Sequence, residues 1–354
     1  MTSPNTTPQT LSQLFQRLGL NLRCYDIGRK IQALPTAVWQ SFESCQRPYP
    51  QPYLRQAWLA LVIDDGTEQM QANPMLWFIR LPLDEFSQLE TGCREQFMGA
   101  ILHRLGRQME QAQFDGGSVD LIEDNPFVFT PSDEKLCQFQ AILRADLNLP
   151  PSEALAAVLD FFDTTPEHDD DGWKSLELAG LADIAVRSQE HQQRLTTALP
   201  TLPTAALAAL CQGLENQNLD TSLSKLLDSR VPQLLGKESK PTLVAALLRG
   251  LSQSTDLLLV RQLIIDTLKH SVGQDIEVLA TISNKHSLQL LDAEICLAFL
   301  EQLAHCDDGN SFGPLVTELL TLPLLKASLI RVLNQHDRSD QLKSAVNKLL
   351  DSLR

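Results

Sequence analysis

Four short segments hold the residues best able to do chemistry. His305-Cys-Asp-Asp-Gly-Asn310 sets a thiol beside an imidazole and two carboxylates, the groups from which an activated cysteine nucleophile is assembled. Neighbours in sequence seldom face one another, so a plain helix terminus explains the cluster equally. His168-Asp-Asp-Asp-Gly172 gathers hard oxygen donors, but it lacks the alternate register and distal Glu of a calcium loop; a solvated acidic loop is the simpler reading. Arg47-Pro-Tyr-Pro-Gln-Pro-Tyr53 carries proline at every second position, which holds the backbone extended. It either offers Tyr49 and Tyr53 as a docking strip or packs them down as a wrapping loop. Arg23, Arg29 and Lys30, around Gly28, form the densest basic spot of the first region, suited to an anionic group or to the exposed charges of a hairpin.

These five residues, Tyr49, Tyr53, Arg23, Arg29 and Lys30, are the candidates for contact with a partner. No catalytic, cofactor-binding or metal-ligating residue is nominated. The sequence contains no glycine-rich phosphate loop, no Gly-x-Ser-x-Gly elbow, no His-Glu-x-x-His helix and no dinucleotide fingerprint. Its seven cysteines include no Cys-x-x-Cys pair, which suits reduced thiols serving as small core residues.

Charge narrows the partners. The net charge is -15, spread as 12 basic against 20 acidic residues up to Asp163 and 17 against 24 after it. Neither part is a basic module, so phosphate neutralisation, the main source of nucleic-acid affinity, is disfavoured. The first ten residues are polar and lack Lys and Arg, unlike a secretory signal. Apolar stretches such as Trp58 to Ile63 are far shorter than the roughly 20 residues a membrane helix needs. A cytoplasmic protein binding neither membrane nor nucleic acid is expected.

The elements that must position these residues fall into two regimes. Of 20 aromatic residues, 17 lie at or before Phe162, and a polar stretch at 164–172 with Pro166 and Gly172 reads as an acidic connector. An α+β domain over 1–165 and an all-α domain over 173–354 are therefore expected. In the first, Trp58 to Ile63 and Met75 to Leu81 read as an antiparallel pair, apolar on both faces and so central in a small sheet. Asn21 to Ile27 and Phe127 to Thr130 are weaker strands. Phe86, Leu89, Cys93, Phe97, Ile101, Leu105 and Met109 mark one helical stripe over Asp84 to Gln113, and helices are expected over Ser12 to Leu18, Asp133 to Leu147 and Ser152 to Phe162.

The second domain shows no strand signal. Ala206-Leu-Ala-Ala-Leu-Cys-Gln-Gly-Leu214 aligns with Leu243-Val-Ala-Ala-Leu-Leu-Arg-Gly-Leu251 at an offset of 37, each just after a proline. A two-helix unit near 35 residues matches the periods of α-solenoids, in which neighbouring units must stack to bury their apolar faces. Gly213 and Gly250 then serve either as left-handed helix caps or as points where helices come close.

Three segments, Leu11-Ser-Gln-Leu-Phe-Gln16, Arg23-Cys-Tyr-Asp-Ile-Gly-Arg29 and Met75-Leu-Trp-Phe-Ile-Arg-Leu-Pro-Leu-Asp84, resemble the gammaproteobacterial family catalogued as domain of unknown function 3549, across the whole chain. The resemblance implies a bacterial cytoplasmic protein and supplies no activity, cofactor or site residue. The expected function is a non-enzymatic protein-protein interaction module with a helical-repeat binding surface; the alternative is an enzyme with its site in the cleft between the two domains.

Overall fold

The computed structural model describes residues 8–110, 125–164, 172–235, 240–335 and 337–352. The chain divides into two compact units, 1–132 and 133–354.

In chain order the first unit runs through α1 (Leu11–Arg17), β1 (Asn21–Asp26), β2 (Gln32–Leu34), α2 (Thr36–Glu43), β3 (Gln56–Asp64), α3 (Glu68–Ala72), β4 (Met75–Pro82) and α4 (Thr91–Glu110). The sheet order is β2-β1-β3-β4, with every neighbouring pair antiparallel. The unit is built on β3, whose residues 57 and 59–63 are fully buried, as expected for a strand apolar at every position. On one face Leu59, Leu61 and Ile63 join Trp77, Ile79 and Leu81 in a core that takes Phe15 from α1, Trp39 and Phe42 from α2, and Phe97 and Ile101 from α4.

β4 lies at the end of the four-strand order rather than at its centre. Its free edge is still satisfied, because Arg80 N–H donates to Phe127 O and Phe129 N–H donates to Phe78 O. The Phe127 segment thus acts as a partial fifth strand. The helix expected from Asp84 begins instead at Thr91. The Asp84 carboxylate accepts the N–H groups of Phe86 and Gln88 and folds 84–88 into a turn, leaving Phe86 69% exposed and outside the apolar stripe.

The second unit contains α5 (Asp133–Asp146), α6 (Leu155–Asp163), α7 (Leu178–Val186), α8 (Gln192–Ala198), α9 (Thr204–Leu214), α10 (Thr221–Asp228), α11 (Val231–Leu234), α12 (Pro241–Gly250), α13 (Leu257–Lys269), α14 (Ile276–Lys285), α15 (Ala293–His305), α16 (Phe312–Leu320), α17 (Pro323–Leu333) and α18 (Asp340–Ser352). It begins about thirty residues ahead of the expected 164–172 joint. The reason is a buried polar knot: Asp183 on α7 accepts from Ser152 N–H at 2.8 Å and its hydroxyl at 2.6 Å, and pairs with Arg187 at 2.7 Å. Arg187 in turn donates to Leu149 O. These bonds bind the loop between α5 and α6 to α7; α5 packs on α7, and α6 adds Leu155, Val158 and Phe162 to the helical core.

The helices pack in two rows. α5, α7, α9, α12, α14 and α16 lie each against the next, and α6, α8, α10, α13, α15 and α17 form a second series. α18 closes on α15 and α16. Polar ties follow the same order. Gln192 to Asp220, Arg230 to Leu199 O, Ser224 to Ser254, Arg261 to Asp292, His286 to Leu248 O and Gln302 to Leu268 O span between 28 and 38 residues. A few reach about twice as far: Asn216 Nδ2 donates to Gln138 Oε1 across 78 residues, and Lys285 pairs with Glu215 at 3.0 Å. Asp220, Asp256 and Asp292, 36 apart, each accept backbone N–H groups at the start of a second-row helix, a cap contributing about 1 kcal/mol.

Gly213 and Gly250 lie inside helices, and close approach is their role. A Cβ on Gly213 would sit 2.5 Å from Ala185 Cβ of α7, and one on Gly250 would sit 2.7 Å from Cys211 Sγ of α9. The neighbour they admit is the preceding first-row helix, not the paired helix of the same unit. Gly250→Ala is expected to destabilise the helical unit by about 1 to 3 kcal/mol in urea unfolding, as overpacking does. Gly99→Ala, at an exposed position of α4 with nothing within 4 Å of the new methyl, should stabilise by about 0.5 to 1 kcal/mol through helix propensity.

Candidate interaction surface

The basic cluster and the proline-rich loop, separate in sequence, meet in the first unit. Arg29 is 6% exposed, donates from Nε to Pro52 O at 3.0 Å and lies over the Tyr53 ring at 5.6 Å. Gly28 allows this approach, since a Cβ there would stand 3.1 Å from Tyr53 Cβ. Tyr49 is 1% exposed and packs against Phe42 at 5.0 Å. Burial first, then the adjacent Asp26, pushes its hydroxyl well above the usual tyrosine range. Tyr49 is therefore closed to a partner in this conformation, whereas Tyr53 and Lys30 are half-buried. Arg23 pairs with the buried Asp64 at 3.1 Å, whose other oxygen accepts from Asn21 Nδ2 and Gly66 N–H. Arg29 and Arg23 thus pin a loop and a strand end.

The thiol cluster also takes a structural form. Cys306 is buried, and burial raises its pKa. His305 Nδ1–H donates to Glu301 O at 2.7 Å, back onto its own helix. Of the acidic segment at 168–172, residues 168–171 lie outside the described residues. Among the described residues no group of three or more His, Cys, Asp or Glu side chains could hold a metal ion, and no helix is long and apolar enough to cross a membrane.

The surface that stands out lies at the leading ends of the second row. Leu257 and Leu258 occupy the first two positions of α13 after the Asp256 cap and are 64% and 79% exposed. Leu288 and Leu291, in the 3-10 turn ahead of α15, are 64% and 43% exposed, and Leu324, second residue of α17, is 74% exposed. Arg261, one turn after Leu257, reaches Asp292 at 2.8 Å, the residue following Leu291, and the turn holding Leu288 packs on α17. Exposed leucines thus stand at the start of α13, ahead of α15 and at the start of α17, three helices that pack in series and define a leucine edge. Their neighbours on the same helices, Val260, Leu263, Ile295, Leu325 and Leu329, are buried, so the fold does not consume the exposed set. Position along the helix does not separate the two sets, since Val260, Ile295 and Leu325 lie in the same first turns and are buried; which side of the turn meets a neighbouring helix does.

The chain belongs to the family described as protein of unknown function (DUF3549), whose model matches residues 6–350. No curated protein matches the chain, and neither does any solved structure.

One buried titratable group lies in the joint between successive first-row helices. His286, 3% exposed, donates from Nε2 to Leu248 O at 2.7 Å. Burial pulls its pKa down to about 4. The unfolded chain takes up a proton near pH 6.5 and the folded chain only near pH 4, so stability is full above about 6.5 and falls between the two values. The loss reaches roughly 3 kcal/mol. Chemical denaturation across that window should show this slope, and His286→Gln, which keeps a donor but does not titrate, should flatten it.

Proposed function

We propose that residues 133–354 are an α-solenoid-like helical repeat, and that the protein is a non-enzymatic cytoplasmic module that binds another protein through it. Two features support the repeat. Polar ties in this unit run mostly to the adjacent unit, at separations of 28 to 38 residues, the pattern of a stack stabilised by nearest-neighbour interfaces. Capping aspartates recur at the same residue spacing, 220, 256 and 292.

The binding role rests on the leucine edge. Single exposed leucines need no explanation, but a connected apolar series on a soluble surface is the mark of an interaction site. Its position also fits, because repeat stacks present one equivalent position per unit and so build an extended contact from many small ones. Tyr53 and Lys30 of the first unit remain separate candidates for contact with a partner.

Replacing Leu258, Leu288 or Leu324 with a photo-crosslinking residue in bacterial cells should yield the same single partner from all three positions. Thr196, exposed on α8, is the control and should not yield it. Unrelated products, or equal capture from Thr196, would remove the reading. Leu258→Ser and Leu288→Ser should change folding stability by no more than about 0.5 kcal/mol, so loss of capture cannot be assigned to unfolding.

A further inference from the structure

The leucine edge carries a sign as well as an apolar surface. Asp292 is paired with Arg261 and adds little to the field, while Asp220, held by the neutral amide of Gln192, keeps its charge. Asp256 directly precedes Leu257 and Glu294 follows Leu291 by three residues, with the exposed Lys225 on α10 and Lys326 on α17 opposing them. Asp228 ends α10, Asp256 caps α13, and Asp266 lies on the solvent side of α13, which packs against α10. Partial burial first, and then the neighbouring carboxylates of Asp266 and Asp256, hold the Asp228 carboxyl above its ordinary range. The whole chain is at -15.

We infer that the segment seated on this edge is a cationic amphipathic stretch of protein, with apolar residues spaced to meet Leu257, Leu258, Leu288 and Leu324 and with Lys or Arg flanking them. The inference rests on the edge being a protein-docking surface, as proposed above. Charge complementarity selects this occupant: a basic flank relieves the repulsion among Asp228, Asp256 and Asp266, while an anionic membrane or nucleic acid would increase it. The leucines supply the non-directional part of the affinity and the carboxylates the choice of partner.

The test uses the full chain and four labelled helical peptides. Three share one leucine spacing and carry Lys, Gln or Glu on the polar face; the fourth keeps the Lys content but scatters the leucines. The amphipathic Lys peptide should bind at least about tenfold more tightly than the Gln peptide, and the Glu peptide should not bind. Binding should weaken with salt, with Leu258→Ser plus Leu288→Ser, and with Asp228→Asn plus Asp266→Asn, each variant retaining its unfolding midpoint. Equal or tighter binding of the Gln peptide would overturn the charge assignment and leave the edge standing as a docking surface. Equal binding of the scattered peptide, indifference to the leucine substitutions, or no binding by any peptide would overturn the edge itself.

Discussion

The close seating of one first-row helix on the next is the constraint on which the helical unit depends. Helices of about ten residues are marginal on their own, and α7, α9 and α12 run to 9, 11 and 10 residues. They persist because each buries its apolar side between neighbours. The contact is close because Gly213 meets Ala185 and Gly250 meets Cys211 with no room for another carbon. Dispersion forces fall steeply with separation, so an added methyl at either glycine acts on the joint between units more than on the helix that bears it.

Polar groups complete what packing begins. Buried charge is costly unless paired, and in this chain the pairs tie one element to another. Asp183 and Arg187 join α7 to the preceding loop, and Arg230 reaches the carbonyls at the end of α8. In the first unit Asp64 gathers Arg23, Asn21 and the turn after β3, while Arg29 holds the proline-rich loop against the sheet end. Few of these side chains are spare, which is why chemistry-bearing residue types in this sequence so often serve architecture.

Much of this was legible from residue order. β3 and β4 declared themselves by runs rich in apolar and β-branched residues, and the helical character of the second unit by its Leu and Ala content and its lack of any strand signal. The start of α4 was not, since the apolar stripe runs back to Phe86 while Asp84 folds the backbone there into a turn. The extent of the helical unit was hidden for a related reason: the aromatic content of α5 and α6 matches the first region, but the bonds that place them run through Asp183 and Leu149, which carry no compositional signal. The meeting of Arg29 with Tyr53 needs the sheet first, and the exposure of Leu257 and Leu288 needs the packing, because buried Leu155 and Leu325 stand as near a helix start.

The bond between Lys285 and Glu215 joins the ends of α14 and α9 over the intervening α12. With side chains only 11% and 16% exposed, it is shielded from much of the screening that weakens surface pairs. It works as a check strap. Pulling α9 and α14 apart would draw this pair taut before α12 between them could part, as the Asn216 to Gln138 bond does for α9 and α5 over α7.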